Sequence, residues 1–501
     1  MFRKFAVSAV LLTCLSMVAS AQNASAVIGN ASKALGADSL TSITYSGSAQ
    51  NANFGQSKNI ATPWAPTGIT RITTYTRTID FGAPASRAFG PTQPPQLPGF
   101  PAVTPGNFNQ NITPAQNNWT AQSEIWLTPW GFLKGAAAMN ATVRQQGGRQ
   151  VVSFSPATKA PSGASYVVTG YINNQNLVEK VETRVEHPVM GDLLVEAEYS
   201  DYRDANGLKY PARIVQKRGG MQTFEANITA ASANPTNLTE LMTPPPAPGR
   251  GGAPGGGAPG GAPAAGGAAQ GARAGGPPPP PVVEKLELAP GVYRITGGYT
   301  SIAIDMGDHI VVLESGQSEA RGLAVMAAAK EAIPGKPIRF VVNTHAHFDH
   351  ASGVATAVAE GATIITHNNN KDFWEKALSA PRTLVGDSLA KANRRPNVEG
   401  VGDRRTLKGS NGKVVELYGV QGLEHSDGML MAYLPAEKVL FTADFNVPGA
   451  NQPVSPNNAV LVRNVERLKL DFDRHVLVHA PNPDRLLTRA DTMAWSTAGT
   501  N

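Results

Sequence analysis

The chain has 501 residues and a formal net charge of +6, from 43 Lys and Arg against 37 Asp and Glu. That length exceeds one ordinary hydrophobic core and calls for at least two domains. The positive excess is not gathered into Lys/Arg clusters with interleaved aromatics, which excludes a nucleic-acid surface, and a single cysteine, Cys14, excludes a disulfide framework.

The N-terminus reads as an export segment, residues 1–21. Met1-Phe2-Arg3-Lys4 is positive, Phe5–Val18 is apolar, and Ala19-Ser20-Ala21 is a small-residue cleavage site before Gln22. The apolar stretch is too short to span a bilayer comfortably, so a periplasmic or secreted product with no stable membrane anchor is expected. Thr13 is a poor residue for lipid attachment at Cys14, which leaves with the segment. The mature chain then has no thiol and relies on core burial and bound metal for its stability.

From Ala24 to about Asn234 the pattern is mainly β, giving an N-terminal domain over 22–243. Apolar or alternating runs recur at Gln150–Ser155, Ser165–Ile172, Leu177–Arg184, Leu193–Ser200, Leu208–Lys217 and Met221–Thr229. Turn formers such as Asp204-Ala205-Asn206-Gly207 separate them, as in an antiparallel meander. The Pro/Gly/Asn-rich passage from Phe81 to Asn118 is expected to be a long irregular loop, its Phe89, Phe100 and Phe108 anchoring it to the sheet rather than lining a ligand mouth. Residues 244–282 are Gly, Ala and Pro with almost no charge, a disordered linker that would tether the two folded parts without aligning them. On that basis Val283–Asn501 is expected to fold and bind metal alone.

Beyond the linker, strands and helices alternate. Gly291–Thr296, Thr300–Asp305 and His309–Leu313 read as strands, Glu319–Ala332 as a helix, and Ile338–Val342 as a buried strand after Pro334-Gly335-Lys336-Pro337. A helix over Ala351–Glu360, the strand Thr363–Thr366 and a helix over Lys371–Ser379 follow, with Asn368-Asn369-Asn370 as its cap. Strands at Val414–Val420, Met429–Tyr433 and Val439–Thr442, a helix near Asn458–Asp471, the strand Arg474–Val478 and a helix Pro483–Trp495 complete the pattern.

The chemistry is concentrated directly after Ile338–Val342, in Asn343-Thr344-His345-Ala346-His347-Phe348-Asp349-His350. On extended backbone His345 and His347 share a face, while Asp349 and His350 follow where the chain turns towards a second centre. Imidazoles with a carboxylate and no thiolate suit zinc or another borderline first-row ion.

The run Thr344-His345-Ala346-His347-Phe348-Asp349-His350 resembles the signature of the metallo-β-lactamase-fold hydrolases, and Gly291-Val292-Tyr293 and Val311–Gly316 agree with it. The resemblance covers roughly Val283 to Ala494 and implies a two-sheet αββα sandwich over 283–501 with the metal site on loops at one edge. It also implies the ligands: His345, His347 and His425 as a first triad, Asp349, His350 and His479 as a second, and Asp444 as the bridge. His475 is the substitute for His479, because the family more often has Gly-His-Gly there. Glu314 stands where many members carry Asp and would support the site without binding metal. Asp444 stands where one group of true metallo-β-lactamases uses cysteine, which excludes that group. The N-terminal domain is weakly similar to the half-barrel sheets of lipoprotein-carrier-like domains, over Tyr199–Pro211.

The implied activity is an exported hydrolase with two zinc ions, using a metal-activated water on a small-molecule ester, lactone, thioester, β-lactam or similar substrate. Asp349 is the candidate to orient that nucleophile and handle its proton. The alternatives are a sulfur dioxygenase with one iron, since the same ligand types serve both metals, and a ligand-binding protein with an inactive metal domain. Diiron flavoproteins resemble a pattern with Glu where His347 stands. His367 is expected as a loop cap or substrate contact, Asp427 as a support for His425 or a solvated turn residue, and His187 and His309 without a role.

Overall fold

A computed structural model describes residues 24–97, 103–116, 118–244, 281–448 and 454–497. The expected export segment with Cys14, Phe100, and the linker from 245 to 280 lie outside these described residues.

The N-terminal region is an 11-stranded sheet, antiparallel throughout. Its first strand, Ser42–Ala52, lies in the middle, between Ile69–Asp80 and the last strand, Met221–Ala233. The chain meanders outward to Asn107–Ile112, re-enters at the far edge with Thr142–Gln146, and meanders back. One face is apolar: Val178, Val181 and Val185 of a single strand join Tyr45, Trp130 and Phe132 in one cluster.

One expectation fails here. Among the described residues of 81–118, where an irregular loop was expected, Ala85–Gln93 and Asn107–Ile112 pair as strands that satisfy each other's backbone groups. Phe108 packs 6.2 Å from Tyr75, and the Arg87 guanidinium lies 4.1 Å over Phe89, so both aromatics anchor to the sheet. Helices Trp119–Trp126 and Pro129–Ala138 pack on the apolar face, two elements that the mainly β reading had not placed. Their signal was local: the Thr128 hydroxyl accepts from Gly131 N–H and Pro129 sits in the first turn, a helix start.

The C-terminal region holds a 7-stranded and a 5-stranded sheet. Val292, Ile304, Val311 and Val342 of the first share an apolar layer with Leu417, Ala432, Phe441 and Val476 of the second. Ile310 and Val312 point the other way, against Val325, Val354 and Trp374 of three helices. Burial on both faces explains why Ile310–Leu313 is apolar at every position. Helix Pro456–Leu468 covers the outer face of the second sheet through Val460, Leu461 and Val465.

Glu319–Ala332 and Ile338–Val342 fall where expected. The helix expected over Ala351–Glu360 is broken into Phe348–Ala351 and Val354–Glu360 at Gly353, where a Cβ would lie 2.6 Å from the Ser315 carbonyl. Asn368-Asn369-Asn370 form the first turn of their helix rather than its cap, and His367 is the cap, its ring nitrogen accepting from Asn369 N–H. The helix expected over Pro483–Trp495 shrinks to Arg489–Met493 plus a 3₁₀ turn, because Thr488 and Asp491 form a capping box there.

The two regions are not loosely tethered. A single buried cluster runs from Ile43 and Val185 of the N-terminal sheet to Ala346, Val354 and Leu384 of the C-terminal region. Asp192 accepts from Thr383 and Leu384 N–H at 3.0 and 2.9 Å, and Arg382 donates to the Pro188 carbonyl at 2.6 Å. His187 joins this contact: its ring lies 4.8 Å from Phe348 and 6.2 Å from Phe54. The composition of residues 244–282 could not reveal this, because apolar burial and polar pairing across the contact set the alignment.

Candidate metal centre

Strand Ile338–Val342 carries the site to its position. Asn343 N–H donates to the Ile365 carbonyl, Thr344 N–H to Glu314 Oε1 at 2.6 Å, and the Thr344 carbonyl accepts from Leu430 N–H at 2.7 Å. His345, His347 and His350 are 0, 1 and 0% exposed. Helix Phe348–Ala351 then turns the chain and presents Asp349 and His350. His425 precedes strand Leu430–Leu434, Asp444 follows Val439–Thr442 with φ +58°, and His479 follows Arg474–Leu477.

The seven side chains form two adjoining groups, His345, His347, His425 and Asp444, and then Asp349, His350 and His479, with donor atoms in each group within 4.8 Å of one another. Asp444 lies between them. Its Oδ2 is 3.1 Å from His345 Nε2 and 2.6 Å from His425 Nε2, while Oδ1 is 3.1 Å from His350 Nε2 and 2.5 Å from His479 Nε2.

The hydrogen-bond pattern fits a cation. His345 Nε2, His347 Nδ1 and His425 Nε2 are buried and have no hydrogen-bond partner. Close approach without hydrogen-bond geometry means that these lone pairs and the Asp444 carboxylate converge on a shared point rather than on one another. Burial pulls the pKa of His345 down to about 4, and it holds His347 well below the usual imidazole range. Both rings are thus neutral, the state metal binding requires. Burial also opposes the charge on His350, but Asp444 and Glu314 outweigh it and hold its pKa well above the ordinary value. Glu314, fully buried with φ +62°, has Oε2 3.5 Å from His350 Nδ1 and so aims the other ring nitrogen into the site.

His479, not His475, lies in the site. His475 is wholly buried between the hydroxyls of Thr442 and Thr492, at 2.8 and 2.9 Å. Asp427 lies half-buried in a bend, and its Oδ2 accepts from Asn59 Nδ2 at 3.0 Å. His309 pairs with Asp308 beside Phe340, outside the site.

Sequence reasoning missed two neighbours of Asp349. The Tyr299 hydroxyl donates to Oδ2 at 2.9 Å, and Gln56 Nε2 donates to Oδ1 at 2.5 Å. Burial and the Asp349 charge raise the Tyr299 pKa, so it is a proton donor at neutral pH. Tyr299 is held by the buried Arg321 guanidinium, which donates to the carbonyls of Thr296 and Tyr299 at 2.9 and 2.7 Å. Neither neighbour carries a motif, and Gln56 is 293 positions away from Asp349.

Residues 295–492 match the family model of the metallo-beta-lactamase superfamily. A curated relative, 2,4-dinitroanisole O-demethylase subunit alpha of Nocardioides sp. (strain JS1661), is 24% identical over 213 residues, 41% of this chain. The match spans about 60% of that relative's length. Among solved structures, a metallo-beta-lactamase from Pontibacter korlensis is 15% identical, with a TM-score of 0.34 over 44% of this chain and 100% of that one. The mono-zinc form of a metallo-beta-lactamase from Pseudomonas aeruginosa is 14% identical, with a TM-score of 0.35 over 44% and 97%. Residues 295–492 are therefore a domain of the metallo-beta-lactamase superfamily.

Proposed function

We propose that this protein is an exported hydrolase that holds two zinc ions in an αββα sandwich and cleaves a small ester, lactone, thioester, β-lactam or related bond. The observation that carries this is Asp444, whose two carboxylate oxygens face different imidazole groups. His345, His347, His425 and Asp444 would hold one ion, and Asp349, His350 and His479, with Asp444, the other. Ions held there would supply Lewis acidity towards the substrate oxygen and lower the pKa of a water. Asp349 accepts the proton of the attacking water, and Tyr299 and Gln56 fix the direction in which its oxygens point. Glu314 Oε2 faces His350 Nδ1 at 3.5 Å, an ion-pair contact that favours the ring orientation with Nε2 in the site.

Metal analysis of the purified protein should find about two zinc ions per chain. A panel of esters, lactones, thioesters, β-lactams, sulfate esters and phosphodiesters should then reveal turnover. 2,4-Dinitroanisole belongs in it because the curated relative is named for that substrate. Asp349→Asn should lower kcat about 10²-fold or more yet retain more metal than His347→Ala, which deletes a donor outright. Near-normal rates for Asp349→Asn with both ions bound would remove Asp349 from this role. A single iron with no hydrolysis would replace the hydrolase with a sulfur dioxygenase.

A further inference from the structure

The loop after the first N-terminal strand meets the metal-binding motif residue by residue. The Gly55 carbonyl accepts from Phe348 N–H at 2.9 Å, Gln56 donates to Asp349, and the Ser57 carbonyl lies 3.1 Å from His347 Nε2. The Lys58 carbonyl accepts from Asp427 N–H at 3.0 Å, its Nζ is 2.9 Å from Glu424, and Asn59 donates to Asp427. Five consecutive residues thus touch both strands of sequence that supply the first group of imidazoles.

From these contacts we infer that the metal centre is composite: the N-terminal loop around Gln56 completes it, and Gln56 is a positioning residue for Asp349. The inference rests on the metal-binding reading above.

Two contacts set the donor atoms themselves. A carbonyl can only accept, so the Ser57 contact places the His347 proton on Nε2 and leaves Nδ1 with its lone pair. Nδ1 is the very atom that is buried without a partner. In a metal site, such a contact to the far ring nitrogen fixes tautomer and ring orientation. The Gln56 amide occupies Asp349 Oδ1, and this turns Oδ2 towards His350 Nε2 and His479 Nε2, at 3.4 and 3.8 Å. Without that amide, the Asp349 carboxylate is free to rotate away from the second group. The loop also lines an open cavity of about 210 Å³ beside His425, with Asn53 and Lys58 facing Glu424 and His425 across it.

The test uses the full chain and zinc alone. Parent, Gln56→Leu and Gln56→Ala are loaded with zinc and titrated with a chelator while zinc per chain and thermal unfolding of the metal-free form are recorded. Gln56→Leu keeps the side-chain bulk and removes the donor. Both variants should surrender one of two ions at about 10- to 100-fold lower chelator concentration than the parent, with unchanged unfolding of the metal-free form. Loss of both ions together, or retention matching the parent, overturns the role of Gln56 while leaving the hydrolase proposal intact. A parent that binds no zinc overturns both. If Gln56→Leu alone lowers metal-free stability, Gln56→Ala supplies the comparison, and its retention decides.

Discussion

His475 and His479 are four residues apart and have opposite surroundings. Burial lowers the His475 pKa to about 3, with two threonine hydroxyls as its only polar company among the described residues. An unfolded histidine takes up its proton near pH 6.5. Between about 6.5 and 3 the unfolded chain therefore binds a proton that the folded chain refuses, and stability falls as pH falls. Above that window this contribution does not vary. In metal-free protein, His475→Gln should lower stability at pH 7.5 by about 1–3 kcal/mol, through imperfectly paired hydroxyls. It should also lose less on going to pH 5 than the parent does. Urea unfolding of both proteins at the two pH values gives the comparison, and equal acid losses would show that His475 does not carry this term.

At the scale of elements, the loop at Gly55 determines how the N-terminal sheet meets the metal motif. Gly55 has φ +85°, and a Cβ there would lie 2.1 Å from Phe348 Cδ2. Gly207 has the same φ of +85° in a hairpin turn with nothing within 4 Å. The pair separates backbone strain from steric conflict. Gly207→Ala should cost about 1 kcal/mol from the left-handed conformation alone. Gly55→Ala should cost more and also weaken zinc retention, because Phe348 must shift and carries Asp349 with it. Equal destabilisation by the two substitutions, with unchanged zinc retention, would mean that the loop yields without disturbing the motif.

For the whole molecule, the continuous buried cluster makes the two regions interdependent. A fragment covering residues 281–501 would expose Phe348, Leu384 and the polar groups that now meet Asp192 and Arg382's partners. It would also lack Gln56 and Ser57. Such a fragment should aggregate or bind less than the full zinc complement, whereas the intact chain should unfold in one concerted transition. A soluble fragment holding two ions with parental affinity would show that the regions are independent after all. Among the described residues no helix is long and apolar enough to cross a membrane.

What could be read along the chain was whatever depends on neighbours in sequence. The imidazole-rich run after Ile338–Val342 is local: a buried strand announces itself by composition, and alternating histidines announce a shared face. Helix Glu319–Ala332 was legible for the same reason, as a run whose own composition favours a helix between two strands. Two similar residues four apart could not be told apart in this way. His479 reaches the site and His475 does not because one lies beyond the strand end and the other inside it, under Thr442 and Thr492. Nor could Tyr299 and Gln56 be placed beside Asp349, since neither belongs to a motif and both arrive through pairing of distant segments. The contact between the two regions was hidden most completely. A flexible-looking linker says how far two domains can separate, but whether they do is decided by the surfaces they bury, and those surfaces exist only once the chain has folded.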